Sequence, residues 1–123
     1  MNETLTLEIG DSIMVTLYLD NTETTETVDL LALVQSAVQH EIERLEFALK
    51  VASKRLQPFE EKYGVTSEHF IAEMAAEDLV GGDDEYINWA GEYDLREALK
   101  VKLQQFRRVK YQSNGYSNLL QSN

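Results

Sequence analysis

The 123-residue chain has no cysteine, one proline and two histidines. The absence of cysteine excludes disulfides, thiol nucleophiles and thiolate metal sites. No run of about 18 apolar residues is present, so no membrane-spanning helix and no membrane partner are predicted. Residues 1–4 also lack the basic and apolar regions of a signal peptide. These absences together favour a cytoplasmic protein.

The sequence patterns that commonly carry catalysis are missing as well. Glu41 follows His40, but no second histidine has the spacing of the zinc-binding H-E-x-x-H helix, and no E-x-x-H pair occurs. The chain also lacks the acidic calcium loop, the glycine-rich phosphate loop and the nucleophile elbow. We therefore predict that the chain is not an enzyme and that it has no catalytic residue and no cofactor.

One acidic cluster has a spacing that could suit a metal ion. His69, Glu73 and Glu77 are spaced at i, i+4 and i+8, which places them on one face of a helix, and Asp83 and Asp84 follow closely. The interpretation that we favour is a solvated acidic face followed by a capping aspartate. No metal site is therefore predicted here.

Basic residues are absent from two long stretches, which contributes to the formal net charge of −11. Residues 1–27 hold six acidic and no basic side chains, and residues 64–93 hold eight acidic and no basic ones. Residues 94–123 reverse the sign, with two acidic and six basic side chains. This distribution disfavours nucleic acid, whose phosphates attract cations, and favours a basic partner protein. An acidic surface that only keeps the protein in solution is the alternative.

The longest pattern is helical and covers residues 28–63, which contain no glycine. Its apolar positions recur every three or four residues; they are Leu31, Val34, Val38, Ile42, Leu45, Leu49, Ala52, Leu56, Phe59 and Tyr63. Such a helix would be about 50 Å long, whereas a compact chain of this length has a radius of gyration of about 14 Å. Part of this coiled-coil-like stripe must therefore meet another helix, a second copy or another protein. We predict a homodimer with a seam formed by Leu31, Val34, Val38, Ile42, Leu45 and Leu49.

Residues 1–20 show alternating rather than helical periodicity. Two alternating apolar runs, residues 5–9 and 13–19, lie on either side of Gly10-Asp11-Ser12 and predict a β-hairpin. A lone hairpin is marginal in water, so its apolar face needs cover. The polar linker that follows ends at Thr27, the predicted cap of the long helix, with Asp29 in the first turn.

Two shorter helices are predicted after the long one. Pro58 should kink or break the long helix near its end, and Gly64 should stop it. Thr66 then caps a helix that ends at about Asp78, and a glycine pair precedes a last helix over about residues 85–109. Asp83 or Asp84 is the predicted cap of that last helix.

The predicted fold is mainly α, with one long helix, a two-helix C-terminal hairpin packed on it and an N-terminal β-hairpin. We predict a single domain over residues 1–111, with the β-hairpin at 1–20, the long helix at 28–63 and the helical hairpin at 66–109. Residues 112–123 are polar and are predicted to form a flexible tail.

Three segments in the second half carry a family resemblance: F-E-E-K-Y-G from Phe59, T-S-E-x-F from Thr66, and G-D-D-E-Y-x-x-W-A-G-E-Y from Gly82. Together they resemble a family of small, mostly uncharacterised prokaryotic proteins that is common in cyanobacteria and archaea. The resemblance covers roughly residues 41–106. Genes of that family often lie beside a gene for a small toxin of the TumE-like group, which implies an antitoxin role. The resemblance implies no catalytic residue.

We predict a protein-binding module, the antitoxin of a prokaryotic toxin–antitoxin pair, with a small basic toxin as its partner. Aromatic side chains are enriched at interface hot spots, so the predicted contact surface combines acidic and aromatic residues: Glu73, Glu77, Asp83, Asp84, Glu85, Tyr86, Trp89 and Tyr93. The three aromatic residues could equally form an ordinary core. Two other functions stay open, a metal-dependent nucleotide hydrolase of an all-α type and a purely structural dimer.

Overall fold

The computed structural model describes residues 2–10, 13–20 and 29–114. In chain order the elements are β1 (Asn2–Ile9), β2 (Ile13–Asp20), α1 (Leu30–Tyr63), α2 (Ser67–Glu73), a short 3-10 helix (Ala76–Asp78), α3 (Gly82–Arg107) and β3 (Lys110–Asn114). The predicted fold class is confirmed, since the chain is mainly helical with a dominant long helix, two further helices packed on it and an N-terminal sheet.

Contacts divide the chain into two compact units. Unit 1 comprises Met1–Glu43 and Leu103–Asn123, and unit 2 comprises Arg44–Lys102. Helices α1 and α3 each contribute a segment to both units. The single domain that was predicted over residues 1–111 stays a prediction. Within the described ranges, no helix combines the length and the apolar character that crossing a bilayer requires.

The sheet of unit 1 has three antiparallel strands in the order β2-β1-β3. The predicted hairpin is confirmed, with Ile9 opposite Ile13 next to the turn, where Gly10 adopts a positive φ of 67°. The third strand was not predicted. It pairs Tyr111 with Leu7 and includes Gln112 to Asn114, so the predicted flexible tail is wrong for these three residues. The rest of that tail lies outside the described residues.

The core of unit 1 lies between one face of the sheet and the first turns of α1. Leu5 and Leu7 of β1 are buried together with Leu30 and Leu31 of α1. Partly buried side chains extend this cluster; they are Ile9, Leu17, Val34, Val38, Val109 and Tyr111. The sheet of the same chain therefore covers the start of the stripe that the sequence assigned to a dimer seam.

The ends of α1 follow local signals only in part. Asp29 is the N-cap, because its carboxylate accepts the backbone N–H of Ala32 at 3.0 Å. The predicted cap, Thr27, lies outside the described residues. Helix α1 continues past Pro58 to Tyr63, so of the two predicted alternatives the break is wrong and the kink stays a prediction. Gly64 ends the helix with a φ of 65°, as predicted.

In unit 2, the cap of α2 is confirmed but its length is not. The Thr66 side chain accepts the backbone N–H of His69 at 3.1 Å. Helix α2 ends at Glu73 instead of Asp78, because the backbone turns extended at Met74 and the Asp78 carboxylate accepts the backbone N–H of Ala75 at 2.9 Å. This local hydrogen bond from the backbone to an aspartate side chain replaces the backbone hydrogen bond that Ala75 would make if the helix continued.

Helix α3 begins three residues earlier than predicted, at Gly82, and ends at Arg107 instead of Val109. Gly82 has a φ of 61°, a left-handed conformation that favours glycine. Asp83 and Asp84 consequently lie in the first turn of α3 and are not its caps. There their charges still stabilise the positive end of the helix dipole.

Candidate partner-binding surface

The core of unit 2 is built around Trp89, the only tryptophan of the chain. Its side chain is 0% exposed. The ring stacks on Phe70 with centroids 3.8 Å apart, and on Phe59 and Tyr63 at 5.4 and 5.6 Å. These contacts join α1, α2 and α3. Trp89 is therefore a core residue, and its predicted role as an anchor for a partner is wrong because no partner could reach it in this conformation.

A buried serine connects this aromatic core to α1. Ser67 Oγ accepts the indole N–H of Trp89 at 2.9 Å and donates to Glu60 Oε2 at 2.7 Å. The backbone N–H of Ser67 donates to the same carboxylate oxygen at 3.0 Å. Each polar group of this buried contact thus has a partner, as burial requires. The sequence analysis did not single out Ser67, because its only local signal is its position at the start of α2.

Glu85 has a structural role that the sequence analysis did not predict. Its carboxylate accepts bonds from Lys62 Nζ at 2.7 Å, from the Tyr63 hydroxyl and from the backbone N–H of Gly81 at 3.0 Å. The Tyr63 hydroxyl also accepts the backbone N–H of Val80 at 2.9 Å. Glu85 therefore fastens the end of α1 to the turn before α3.

Electrostatics follow from this geometry. The Lys62 ammonium, then the Tyr63 hydroxyl, lower the pKa of Glu85 from 4.5 to about 2, against the opposing effect of desolvation. The same ion pair raises the pKa of Lys62. Both oxygens of Glu85 thus accept bonds inside the chain, and the predicted role of Glu85 as a partner contact stays a prediction.

Four of the predicted acidic contacts remain available. Glu73, Glu77, Asp83 and Asp84 are exposed, and none of them has an ion-pair partner among the described residues. The paired carboxylates of unit 2 behave differently, since Glu68 and Glu97 both bind Arg96. Glu68 and Glu97 thus form ion pairs within the chain, whereas Glu73, Glu77, Asp83 and Asp84 face the solvent.

Two exposed apolar side chains lie close to these carboxylates in the sequence. Val80 is 86% exposed and Ile87 is 65% exposed. Asp83 and Asp84 precede Ile87 by four and three residues on α3, so the three side chains share one side of the helix. We call this set the acidic surface: Glu73, Glu77, Val80, Asp83, Asp84 and Ile87. The sequence analysis missed Val80 and Ile87, because apolar residues in a helical pattern are ordinarily assigned to the core.

The two predicted tyrosines are half-buried and contact their own chain. The ring of Tyr86 lies 4.9 Å from that of Phe70. The Arg96 guanidinium lies over Tyr93, 5.2 Å from the ring centroid, and also binds Glu68 Oε1 at 2.7 Å. Both rings therefore support the core of unit 2, and only their remaining exposed parts could meet a partner.

The predicted dimer seam does not form one exposed stripe. Leu31 and Leu45 are buried within the chain, and Val34 and Val38 pack on the core of unit 1. Ile42 and Leu49 are half-buried. The apolar side chain of α1 that is most exposed is instead Phe47, which the periodicity placed off the stripe. The homodimer and its seam stay predictions, but Leu31 and Leu45 could not contribute to the seam in this conformation because they are buried in their own chain.

The residues that could have formed a metal site are separated by the break after α2. Glu77 lies in the 3-10 helix, so it no longer follows His69 and Glu73 on one helix face. In the part of the chain that the structure describes, no three His, Asp or Glu side chains converge in a way that could hold a metal ion. Nothing in these residues favours the hydrolase alternative, which stays untested.

Comparison of the chain with protein-family models, with curated proteins and with solved structures finds no match. Function must therefore be argued from the surfaces of the chain.

Proposed function

We propose that the chain is a non-enzymatic protein-binding module, the antitoxin of a prokaryotic toxin–antitoxin pair, and that it binds a small basic toxin in the cytoplasm. The observation that supports the proposal is the acidic surface, in which four carboxylates without ion-pair partners among the described residues accompany Val80 and Ile87. The family resemblance adds the antitoxin role.

Physical reasons favour a basic protein as the partner. Residues 64–93 contain eight acidic and no basic side chains, so a cationic protein would be steered to this segment. Exposed apolar side chains within a polar surface supply the area that an interface core needs. Val80 and Ile87 would take the anchoring role that the sequence analysis gave to Trp89.

The first step of the test is to identify the genes that lie beside the gene of this chain, and the proposal expects one of them to encode a small basic protein. Co-expression of the chain with that protein then tests the proposal. The wild-type chain should restore growth that this protein arrests. The variant Glu73→Lys/Asp83→Lys/Asp84→Lys should restore it poorly, because three charges of the acidic surface are reversed. Its fold should persist, since Asp83 and Asp84 in the first turn of α3 each contribute only about 0.3–1 kcal/mol and Glu73 is the exposed last residue of α2.

A matched control separates the surface from net charge. Glu43, Glu61 and Asp94 are also exposed, and they lie outside the acidic surface. Their replacement by lysine changes the net charge by the same amount and should leave the rescue of growth intact. Equal rescue by both triple variants would locate the contact elsewhere, and no rescue by the wild-type chain would refute the antitoxin role.

A further inference from the structure

A groove on unit 2 is lined by side chains of α1 and α3. It encloses about 350 Å³, and its apolar lining includes Phe47, Val51, Leu95 and Leu99. Phe47 is 68% exposed and Leu95 is 44% exposed. Exposed apolar side chains that converge on one groove are typical of sites that bind another protein.

Positive charge marks both ends of this groove. Arg44 and Arg55 contribute to its lining, and they lie on α1 on either side of Phe47 and Val51. The two arginines are eleven positions apart in the sequence, which corresponds to about 16 Å along a helix. The α1 segment 44–55 carries four basic side chains and one acidic one, in contrast to the net charge of −11 of the whole chain.

The shape of the groove fits a helix. Two neighbouring helices present side chains at spacings of three and four residues, and a third helix can place its apolar ridge between them. A helix that spans the groove would place carboxylates near the two arginines. Each guanidinium group has five N–H donors, so it can bind a carboxylate of the occupant in addition to the interaction that Arg44 makes within the chain. We propose that the groove binds an acidic amphipathic helix of a partner protein.

Other occupants fit the charges less well. Two copies that paired through this groove in antiparallel fashion would bring Arg44 of one copy near Arg55 of the other, which is repulsive. A basic protein would meet Arg44 and Arg55 of the groove lining, which would repel it. An anionic membrane would repel the net charge of −11. This proposal does not rest on the antitoxin role, because it concerns different residues.

The test uses three labelled 18-residue peptides with one common leucine stripe and with Glu, Gln or Lys at the flanking positions. Fluorescence anisotropy with the full chain should show that the Glu peptide binds at least tenfold more tightly than the Lys peptide. The variant Arg44→Glu/Arg55→Glu should reverse that preference. Raised salt should weaken binding of the Glu peptide to the wild-type chain.

Two matched variants localise the binding. Phe47→Asp should abolish binding of the Glu peptide, whereas Ile87→Asp, which changes an equally exposed apolar residue of the acidic surface, should leave binding unchanged. The fluorescence of Trp89 verifies that both variants keep the core of unit 2. The triple lysine variant of the acidic surface should also bind the peptide normally, so the two proposals can fail separately.

Four outcomes would overturn the proposal. They are equal binding of the three peptides, no binding of any of them, binding that survives Phe47→Asp, and a preference for vesicles with anionic lipids over the Glu peptide. Light scattering that gives a dimer for the wild type and a monomer for Phe47→Asp would assign the groove to a second copy instead.

Discussion

Ser67 offers the sharpest test of the core of unit 2. The substitution Ser67→Ala removes the hydroxyl that accepts the indole N–H of Trp89 and donates to Glu60. Both Ser67 and Trp89 are fully buried, so water cannot replace the lost acceptor. The backbone N–H of Ser67 still binds Glu60, and the half-buried Glu60 carboxylate can recover hydration.

The expected cost follows from these two bonds. A buried donor without a partner costs about 1–3 kcal/mol. The bond to Glu60 is charge-assisted but partly replaceable by water, so it adds less than its full value of about 1.5–3 kcal/mol. We expect Ser67→Ala to lower the free energy of unfolding by about 2 kcal/mol.

Urea unfolding followed by Trp89 fluorescence measures this cost, because the only tryptophan of the chain reports on unit 2. With a slope of about 1–3 kcal/mol per molar urea, the midpoint should fall by about 1 M. Ser53→Ala, at an exposed serine of α1, is the control and should change little. A shift for Ser67→Ala no larger than that of the control would refute the proposed network.

Two more predictions concern the turn before α3 and the helix that follows it. Because the folded pKa of Glu85 is lowered to about 2, the stability that its charge contributes is present above pH 4.5 and is lost as the pH falls towards 2. Urea unfolding at pH 6 should therefore show that Glu85→Gln is less stable than the wild type, and this difference in stability should disappear near pH 2. A difference that does not depend on pH would contradict this explanation. Gly81→Ala should destabilise the chain, because the new Cβ would lie 2.8 Å from Glu85 Cβ. Gly91→Ala should instead raise the free energy of unfolding by about 0.5–1 kcal/mol, because Gly91 lies within α3 and a Cβ there would meet no other atom. Thermal unfolding of both variants checks the pair, and equal shifts would refute the steric argument.

The two surfaces of unit 2 suggest why the chain carries charge so unevenly. The acidic surface around Asp83 and Asp84 contrasts with the groove between Arg44 and Arg55. Surfaces of opposite sign on one small unit could bind two partners without competition, provided that each recognises its own charge pattern. The experiments on the Lys variants and on the peptides address each surface separately.

Local signals predicted the secondary structure well where the stabilising interaction is itself local. The Thr66 cap, the left-handed Gly64 and the β1–β2 hairpin depend on residues close in sequence, and the structure confirms all three. Helical periodicity also identified α1, because burial of one face over many turns leaves a pattern that composition alone does not produce.

Tertiary structure decided what covers each face and which charges remain available. Strand β3 contains Tyr111 as its only apolar residue, so no alternating pattern marks it as a strand. Its pairing with β1, about a hundred residues away in the chain, makes it one. The helical pattern predicted that Leu31 and Trp89 lie on apolar helix faces. It did not predict that the sheet of the same chain buries Leu31 or that other aromatic rings of the same chain bury Trp89. Glu85 and Asp84 are adjacent and chemically alike, yet only Glu85 meets Lys62 and Tyr63. Contacts between residues that are distant in the chain leave no pattern in the local sequence. Such contacts decide whether a carboxylate stabilises the fold, as Glu85 does, or faces the solvent, as Asp84 does.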